Sequence, residues 1–370
     1  MLRARIPLPR FVSAGEIISG RGAIGALRAL DATSVAVVCG KAAPADSERR
    51  RSIVAALGPA EHAFFEGPSG EPTLQHAQGL AGQLDALRPD WIVAVGGGAV
   101  LDSAKLAWAM YEHPSTTLDL RAFSLPSLRG RARFCAVPTV AGAGSEVSSA
   151  AMFIDGVSGE KRSLVSHELL PDVVLIDPAF SLGAPGLVVA HGAMDALAHA
   201  LEGFGSRHES AFADVQAEAA ARVIFRALPV RLENPTDVES QLELHSAAVM
   251  AGWVQNQKVP GIGHALAHQL TGHSHGAATG ALLPHAIRFN CQLEPIRRKY
   301  DALGARLGFS DSEGLAAACE TLAQRAGLTR FVPPLLTPAL VEAALRDPCA
   351  RANPRELSSD DVHQFWEQLS

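Results

Sequence analysis

The stretch "VAVGGGAVLDSAK", residues 93–105, joins a short apolar run to a helix-like segment through three consecutive glycines. Short β-branched runs that stop at glycine are typical of buried parallel strands. Glycine allows close backbone approach, so a pyrophosphate could lie against the free N–H groups and the positive dipole end of the following helix. The GxGxxG fingerprint is absent, so an ordinary turn between a strand and a helix explains the stretch equally well.

The alternation of strand and helix continues on both sides of this turn. The apolar run before the turn is a predicted strand at residues 91–98, and further strand-like runs occupy residues 34–40, 132–139 and 172–178. Residues 73–87 carry apolar positions at helical spacing. This alternation predicts a parallel sheet with helices on both faces. A second glycine-rich stretch, "PTVAGAGSEVSS" at 138–149, also follows a strand. Two such loops at the carboxyl ends of one sheet favour a nucleotide site.

The chain changes character after about residue 178. Long, alanine-rich segments with helical periodicity follow, and proline and glycine cluster at residues 177–186. Runs of strands and helices followed by helices alone indicate two domains, as the length of 370 residues also does. We predict an α/β dinucleotide-binding domain at 1–182 and an all-helical, metal-binding domain at 183–370.

Composition excludes several classes of function. The chain is 48% hydrophobic and 19% charged with a net charge of −6, which indicates a folded protein without the basic stripe of a nucleic-acid binder. Its five cysteines form no close pair such as CxxC, which favours reduced thiols. No stretch reaches the ~18 uncharged apolar residues of a membrane span. We therefore expect a soluble, cytoplasmic protein.

Residues that can bind a metal recur at helical spacing. Asp195 and His199 are four residues apart, and so are His264 and His268, so each pair projects from one helix face. A carboxylate with two or three imidazoles suits Fe(II), Zn(II) or a neighbouring divalent metal. The alternative is that each histidine packs within a helix bundle, although bundles commonly build metal sites from facing helices.

Four motifs together resemble the iron-containing (group III) alcohol dehydrogenase family, which includes relatives of lactaldehyde reductase and maleylacetate reductase. They are "GGGAVLDSAK", "PTVAGAGSEVSS", "GAMDALAHALEGF" and "GIGHALAHQLTG" with the following "HSHGAATGALLPHAIRFN". The resemblance covers nearly the whole chain. It implies a dehydroquinate synthase-like architecture, a metal in the cleft between two domains, NAD(P)H-linked reduction of a small aldehyde or oxidation of an alcohol, and a homodimer.

The resemblance also implies the metal ligands. They are Asp195, His199, His264 and a histidine in the family's Pro-His-Gly element, which is Ser-His-Gly at residues 274–276 here. The segment after His264 is a few residues shorter than in the family. His275 is the predicted fourth ligand, and His273 remains the alternative.

The same resemblance implies a catalytic role for His268 and a set of cofactor contacts. His268 matches the family position that lies beside the substrate and relays protons. The nucleotide is expected to contact residues of the two glycine loops and the strand ends around them: Gly40, Lys41, Gly97, Gly98, Ala99, Asp102, Thr139, Val140, Ser145 and Lys161.

Two departures from the family bear on the cofactor. Ala99 replaces the serine of the common GGGS motif, so one hydroxyl contact to the pyrophosphate is lost while the backbone donors remain. Gly40 stands where NAD-preferring relatives often carry an aspartate for the ribose 2′-OH, and neighbouring Lys41 could attract a 2′-phosphate. We expect NADPH to be accepted, and the preference between the two cofactors stays open.

Lys258 lies six residues before His264, where relatives usually have a small or apolar residue. If Lys258 faces the cleft, it is a candidate catalytic residue beside His268 and favours an anionic aldehyde such as a carboxylate, phosphonate or sulfonate semialdehyde. If it faces solvent, it is an ordinary surface lysine. A maleylacetate reductase is an alternative, although many lack the aspartate ligand. A dehydroquinate synthase-like lyase, which shares the architecture, is a further one. The exact substrate and the physiological metal stay open.

Overall fold

The computed structural model describes residues 12–40, 47–114, 125–156, 159, 161–270, 272–328 and 334–369. Its first half is built on a six-stranded parallel sheet with the strand order β1-β8-β5-β4-β2-β3, and β6 and β7 form a separate antiparallel pair. The strands are β1 (Glu16–Ser19), β2 (Ser34–Cys39), β3 (Glu61–Glu66), β4 (Trp91–Gly96), β5 (Arg133–Pro138), β6 (Ala150–Ile154), β7 (Lys161–Val165) and β8 (Val173–Ile176).

Helices cover both faces of this sheet. Helix α1 (Glu48–Leu57) packs on one face together with a 3₁₀ segment at Ala23–Ala29. On the other face lie α2 (Leu74–Leu87) and α3 (Gly98–Glu112). Strand β4 is buried along its whole length, which explains its uninterrupted apolar sequence. The predicted fold class of the N-terminal half is confirmed.

The predicted strands at 34–40, 91–98, 132–139 and 172–178 correspond to β2, β4, β5 and β8. The edge strands β1 and β3 and the β6–β7 hairpin were not predicted. Strand β3, "EHAFFE", is half-exposed and begins and ends with glutamate, and β7, "KRSLV", begins with two cations. These strands lack the continuous apolar run of a buried parallel strand, so the pattern that found β4 does not find them.

Every regular element that the structure describes after residue 182 is a helix, which confirms the predicted all-helical second half. The helices are α4 (Gly186–Gly205), α5 (Ala211–Glu233), α6 (Val238–Gln257), α7 (Ile262–Ala267), α8 (His275–Asn290), α9 (Glu294–Leu307), α10 (Ser312–Arg325), α11 (Pro338–Arg346), α12 (Pro348–Ala352) and α13 (Ser359–Glu367). The last strand ends at Ile176 and α4 begins at Gly186, and the exact boundary at 182 remains a prediction.

Alanine-rich faces of α4, α5 and α6 form the largest buried cluster of the helical half. Alanine keeps helix axes close and favours the helical conformation, so these segments are recognisable from composition alone. Within the described parts of the chain, none of the helices has the length and apolar composition needed to cross a bilayer.

The glycine-rich loop after β5 connects the two halves. A Cβ on Gly192 of α4 would lie 2.4 Å from Ala141 O, and Gly144 (φ +71°) lies against α6, where a Cβ would meet Ala248 O at 2.7 Å. Gln255 of α6 donates a hydrogen bond to Ala143 O at 2.6 Å. Because backbone approaches backbone here, the loop is fixed against the helical half.

Candidate metal and cofactor site

Four side chains of the helical half converge on one point: Asp195, His199, His264 and His275. One potential ligand atom from each lies within 4.8 Å of all the others. The rings of His199 and His264 stack with their centroids 4.4 Å apart. His273, the alternative fourth ligand, does not belong to this group among the described residues.

Three helices supply the four side chains. Asp195 and His199 lie one turn apart on α4, as their spacing predicts. His264 comes from the short helix α7, and His275 is the first residue of α8. The connection between α7 and α8 turns at Gly272, whose φ of +89° favours glycine. The structure thus brings together the four residues that the sequence singled out as ligands.

The charge state of the cluster suits a cation. Burial favours the neutral form of Asp195, yet the neighbouring imidazoles of His275, His199 and His264 outweigh it and hold the pKa of this carboxyl well below its usual range. Burial lowers the pKa of His199 to about 3 and lowers that of His275 well below its ordinary value. Burial also lowers the pKa of His264, but the hydrogen bond to the Glu202 carboxylate outweighs burial and raises it. The site therefore presents a carboxylate with neutral imidazoles at His199 and His275, the protonation state in which these groups bind metals.

Buried nitrogen atoms in the cluster lack hydrogen-bond partners within the described chain. They are His199 Nδ1, His264 Nε2 and His275 Nδ1. An unsatisfied buried polar atom is costly, and His264 Nε2, which lies 3.8 Å from Asp195 Oδ1, is one that faces the carboxylate. A divalent metal fits this donor set, since a carboxylate and three imidazoles are borderline ligands for Fe(II) or Zn(II).

Two further residues hold the candidate ligands and were missed by the sequence analysis. Glu202 accepts a 2.5 Å hydrogen bond from His264 Nδ1 and further bonds from the N–H groups of Gly263 and His264. Thr279 of α8 donates to Asp195 Oδ1 at 2.8 Å. Such outer contacts fix the orientation and tautomer of a metal ligand. Glu202 lies seven residues after Asp195 on α4, so the helical period could have indicated it.

His268 lies beside the cluster and outside the group of four. Its ring stacks on that of His275 with centroids 5.2 Å apart. His268 Nδ1 hydrogen-bonds to Asp347 Oδ2 at 2.9 Å. Burial raises the pKa of Asp347, but the bond from His268 outweighs burial and lowers it, so the carboxylate is charged. Asp347 was not predicted, because 79 residues separate it from His268.

Both alternatives for Lys258 are wrong. The side chain is fully buried at the end of α6 and faces neither the cleft nor solvent. Its ammonium donates to Phe204 O at 3.1 Å and forms an ion pair with Asp214 of α5. A buried charge needs such a partner, so Lys258 is committed to joining three helices of the core. It is therefore removed from the candidate catalytic residues.

The two glycine-rich loops meet at the carboxyl ends of β4 and β5. Gly97 is the N-cap of α3 and offers no side-chain cap, and Thr139 N donates to Gly96 O at 3.0 Å. A Cβ on Gly98 would lie 3.1 Å from Ser145 Oγ, and one on Gly97 would lie 3.6 Å from Val140 Cγ2. The structure thus brings predicted cofactor contacts from both loops to the start of one helix, where free N–H groups can bind phosphate.

Lys105, which the sequence analysis did not select, fixes the second loop. Its fully buried ammonium donates to the carbonyl oxygens of Ser145 and Ser148 at 2.6 Å each, and to that of Ala150 at 3.3 Å. One turn earlier on α3, Asp102 accepts a bond from Met152 N at 3.0 Å. These contacts hold the loop and β6 against α3.

The remaining predicted cofactor residues lie at the edges of this region. Lys161 begins β7, and its ammonium pairs with Glu71 at 2.8 Å. Ala99 lies in the first turn of α3. Gly40 directly follows β2, and a Cβ there would lie 2.9 Å from Val100 Cγ2. Lys41 falls outside the described residues. Cofactor contact by these residues remains a prediction.

Comparison with known proteins covers nearly the whole chain. Residues 14–178 match the family described as iron-containing alcohol dehydrogenase, and residues 189–369 match the C-terminal domain of the Fe-containing alcohol dehydrogenase family. The chain is 32% identical to 1-propanol dehydrogenase from Salmonella typhimurium, with 96% of this chain and 98% of that protein aligned. It is 29% identical to an NADPH-dependent butanol dehydrogenase from Clostridium saccharobutylicum, with 97% of each aligned.

Solved structures agree with this match. An iron-containing alcohol dehydrogenase from Thermococcus thioreducens superimposes with a TM-score of 0.88 at 25% identity, over 97% of this chain and 99% of the other. A sulfoacetaldehyde reductase from Bifidobacterium kashiwanohense, solved in complex with NAD+, gives a TM-score of 0.88 at 26% identity over 98% of each chain. The overall fold, with its parallel sheet and its helical second half, is thus shared with these proteins.

Proposed function

The chain belongs to the iron-containing alcohol dehydrogenase family, and we propose that it uses the Asp195 cluster and a bound divalent metal to reduce small, uncharged aldehydes with NAD(P)H. Family membership makes it an oxidoreductase acting on CH–OH groups and implies a nicotinamide cofactor and a divalent metal. The observation that carries the proposal is the cluster itself. Four potential ligand atoms lie within 4.8 Å of one another, and buried imidazole nitrogens there have no partner among the described residues.

Asp195, His199, His264 and His275 are the residues that would hold the metal. A divalent metal in this position supplies Lewis-acid stabilisation of the charge that develops on a substrate oxygen. The chain contributes a single carboxylate, so the site keeps a net positive charge once a divalent cation is bound. Glu202 accepts a hydrogen bond from His264 Nδ1–H, so the lone pair of Nε2 is available to bind the metal.

His268 is the residue that would move a proton. Asp347 accepts a hydrogen bond from His268 Nδ1–H, so Nε2 is the ring nitrogen that can take up or release a proton. The His268 side chain keeps 18% of its surface exposed, whereas the His264 side chain keeps 2%. A partly exposed imidazole beside the ligands can exchange protons with water and pass them to the substrate oxygen.

Lys258, the residue suggested to bind an anionic aldehyde, has a structural role instead. Lys258 is bound to Asp214 within the helical core, so it offers no charge to a substrate in the cleft. With that residue removed, the sequence argument for a carboxylate, phosphonate or sulfonate group disappears. The aligned propanol and butanol dehydrogenases are named for uncharged alcohols, while the aligned sulfoacetaldehyde reductase is named for an anionic aldehyde. We therefore expect uncharged aldehydes to be preferred.

The first test is oxidation of NADH and NADPH under anaerobic conditions with metal-stripped protein, before and after addition of Fe(II) or Zn(II). The panel contains propanal, butanal, sulfoacetaldehyde, succinic semialdehyde and maleylacetate. We expect metal-dependent turnover with the highest kcat/KM on the uncharged aldehydes. A higher kcat/KM on the anionic members contradicts the substrate assignment, and undiminished turnover after metal removal contradicts the metal assignment.

For the cofactor we propose that NADPH is accepted because Gly40 offers no carboxylate to repel the 2′-phosphate. The variant Gly40→Asp should raise the ratio of kcat/KM for NADH to kcat/KM for NADPH by about tenfold. The added carboxylate can accept a hydrogen bond from the ribose 2′-OH of NADH and repels the 2′-phosphate of NADPH, and either effect is worth at least this factor.

The matched control for this cofactor prediction is Gly40→Ala. Either substitution places a Cβ about as close to Val100 Cγ2, 2.9 Å for an ideal geometry, so both share the same steric cost. Only Gly40→Asp adds a charge. Equal cofactor ratios in Gly40→Ala, Gly40→Asp and the unmodified protein would show that this position does not select the cofactor.

A further inference from the structure

Ser274 occupies the N-cap of α8 without capping the helix through its side chain. Its Oγ instead forms a 2.7 Å hydrogen bond with His191 Nδ1 of α4, 83 residues earlier in the chain. In the first turn of α8, Ala277 N and Ala278 N both donate to Ser274 O and not to the hydroxyl. The hydroxyl is therefore available for a contact between helices.

His191 lies one helical turn before Asp195 and on the same face of α4. Its carbonyl oxygen lies directly under α8, where a Cβ on Gly276 would approach to 2.1 Å. The ring of His191 and the backbone of His191 thus hold the two residues on either side of His275. Through Gly192, the next residue, the same turn of α4 also touches Ala141 of the glycine-rich loop.

His275 depends on such contacts more than the other candidate ligands do. Its side chain keeps 24% of its surface exposed, compared with 5% for Asp195 and 2% for His264. It follows a connection that turns at Gly272, and its own Nδ1 has no partner among the described residues. His264, by contrast, is fixed by Glu202. The orientation of His275 is therefore set by how the start of α8 is held.

We propose that the hydrogen bond between Ser274 and His191 positions His275 as the fourth metal ligand, an inference that rests on the proposed metal site. Both are positioning residues and neither contacts the metal. In the Pro-His-Gly element of the family a proline precedes the histidine and cannot form this bond. In this chain, the hydrogen bond between Ser274 and His191 takes the place of the rigid proline, because it fixes the residue before His275 to α4.

The test is Co(II) binding to metal-stripped protein, measured by competition with a chelator and by the visible spectrum of the Co(II) form. Ser274→Ala and His191→Ala should each weaken Co(II) binding about tenfold, because the outer partners of metal ligands typically contribute such factors. The double variant should bind no more weakly than the weaker single variant, since both remove the same bond. Ser274→Thr, which keeps the hydroxyl, should bind Co(II) as the unmodified protein does.

Ser246→Ala serves as the control. It removes an exposed hydroxyl of α6 that bonds to Leu242 O within the same helix. If unmodified protein binds Co(II) and Ser274→Ala binds it equally well with the same spectrum, the inference is overturned and the proposed function stands. If the unmodified protein itself does not bind Co(II), the proposed function fails. A loss of metal-free stability without any change in Co(II) binding also overturns the inference, because it indicates a merely structural bond.

Discussion

Asp195→Ala is expected to remove metal binding and to lower kcat/KM by on the order of 10³-fold or more, because it deletes the only carboxylate of the candidate ligand set. Three imidazoles remain, and because they bind a metal in their neutral form they supply no charge to offset that of a divalent cation. The neighbouring histidines hold the pKa of Asp195 well below its usual range, so this negative charge is present throughout the working pH range. Metal content after dialysis and the rate of NAD(P)H oxidation measure the two effects.

Two further variants separate the possible causes of that loss. Asp195→Asn retains the size of the side chain and an oxygen that can accept the bond from Thr279, so it removes the charge with little change in packing. It should lose metal as Asp195→Ala does. His268→Ala should keep the metal and lose rate by about 10²- to 10⁴-fold, as removal of a proton-transferring group does. Full metal occupancy together with normal turnover in Asp195→Ala would refute the assignment of this residue as a ligand.

Gly276→Ala is expected to destabilise the fold by about 1–3 kcal/mol and to weaken metal binding. The added methyl group would lie 2.1 Å from the carbonyl oxygen and 2.7 Å from the carbonyl carbon of His191. Both are backbone atoms within a helix, so no side-chain rotation relieves the contact, and α8 must move away from α4. That movement displaces His275 from Asp195. Chemical denaturation of the metal-free protein and a Co(II) titration report the two consequences.

Gly79→Ala provides a matched control with the opposite expected sign. Gly79 lies in the exposed interior of α2, and a Cβ there meets nothing within 4 Å. Glycine costs a helix interior roughly 0.5–1 kcal/mol relative to alanine, so this variant should be more stable by about that amount. Equal stability changes in Gly79→Ala and Gly276→Ala would mean that α8 does not depend on close approach to α4.

The sequence was sufficient where local pattern and burial coincide. Strands β2, β4, β5 and β8 were predicted because a strand buried on both faces has to be apolar throughout. The spacing of Asp195 and His199 placed both on one helix face, since the helical period is a local property. Edge strand β3 carries glutamates at its ends, and the same pattern therefore could not find it.

The partners of individual polar side chains depended on tertiary structure. The sequence predicts Lys258 to be a cleft or surface lysine. In the fold its partner is Asp214 of α5, which lies 44 residues away in the chain. His268 forms a hydrogen bond with Asp347, 79 residues away in the chain, and Ser274 forms one with His191, 83 residues away. Periodicity determines which face of a helix a residue occupies, whereas the packing of helices determines what that face meets. The sequence by itself therefore determined an α/β first half and an all-helical second half, and its family resemblance gave the candidate ligands with His273 and His275 as alternatives. Only the packing of α4, α7 and α8 brought Asp195, His199, His264 and His275 together.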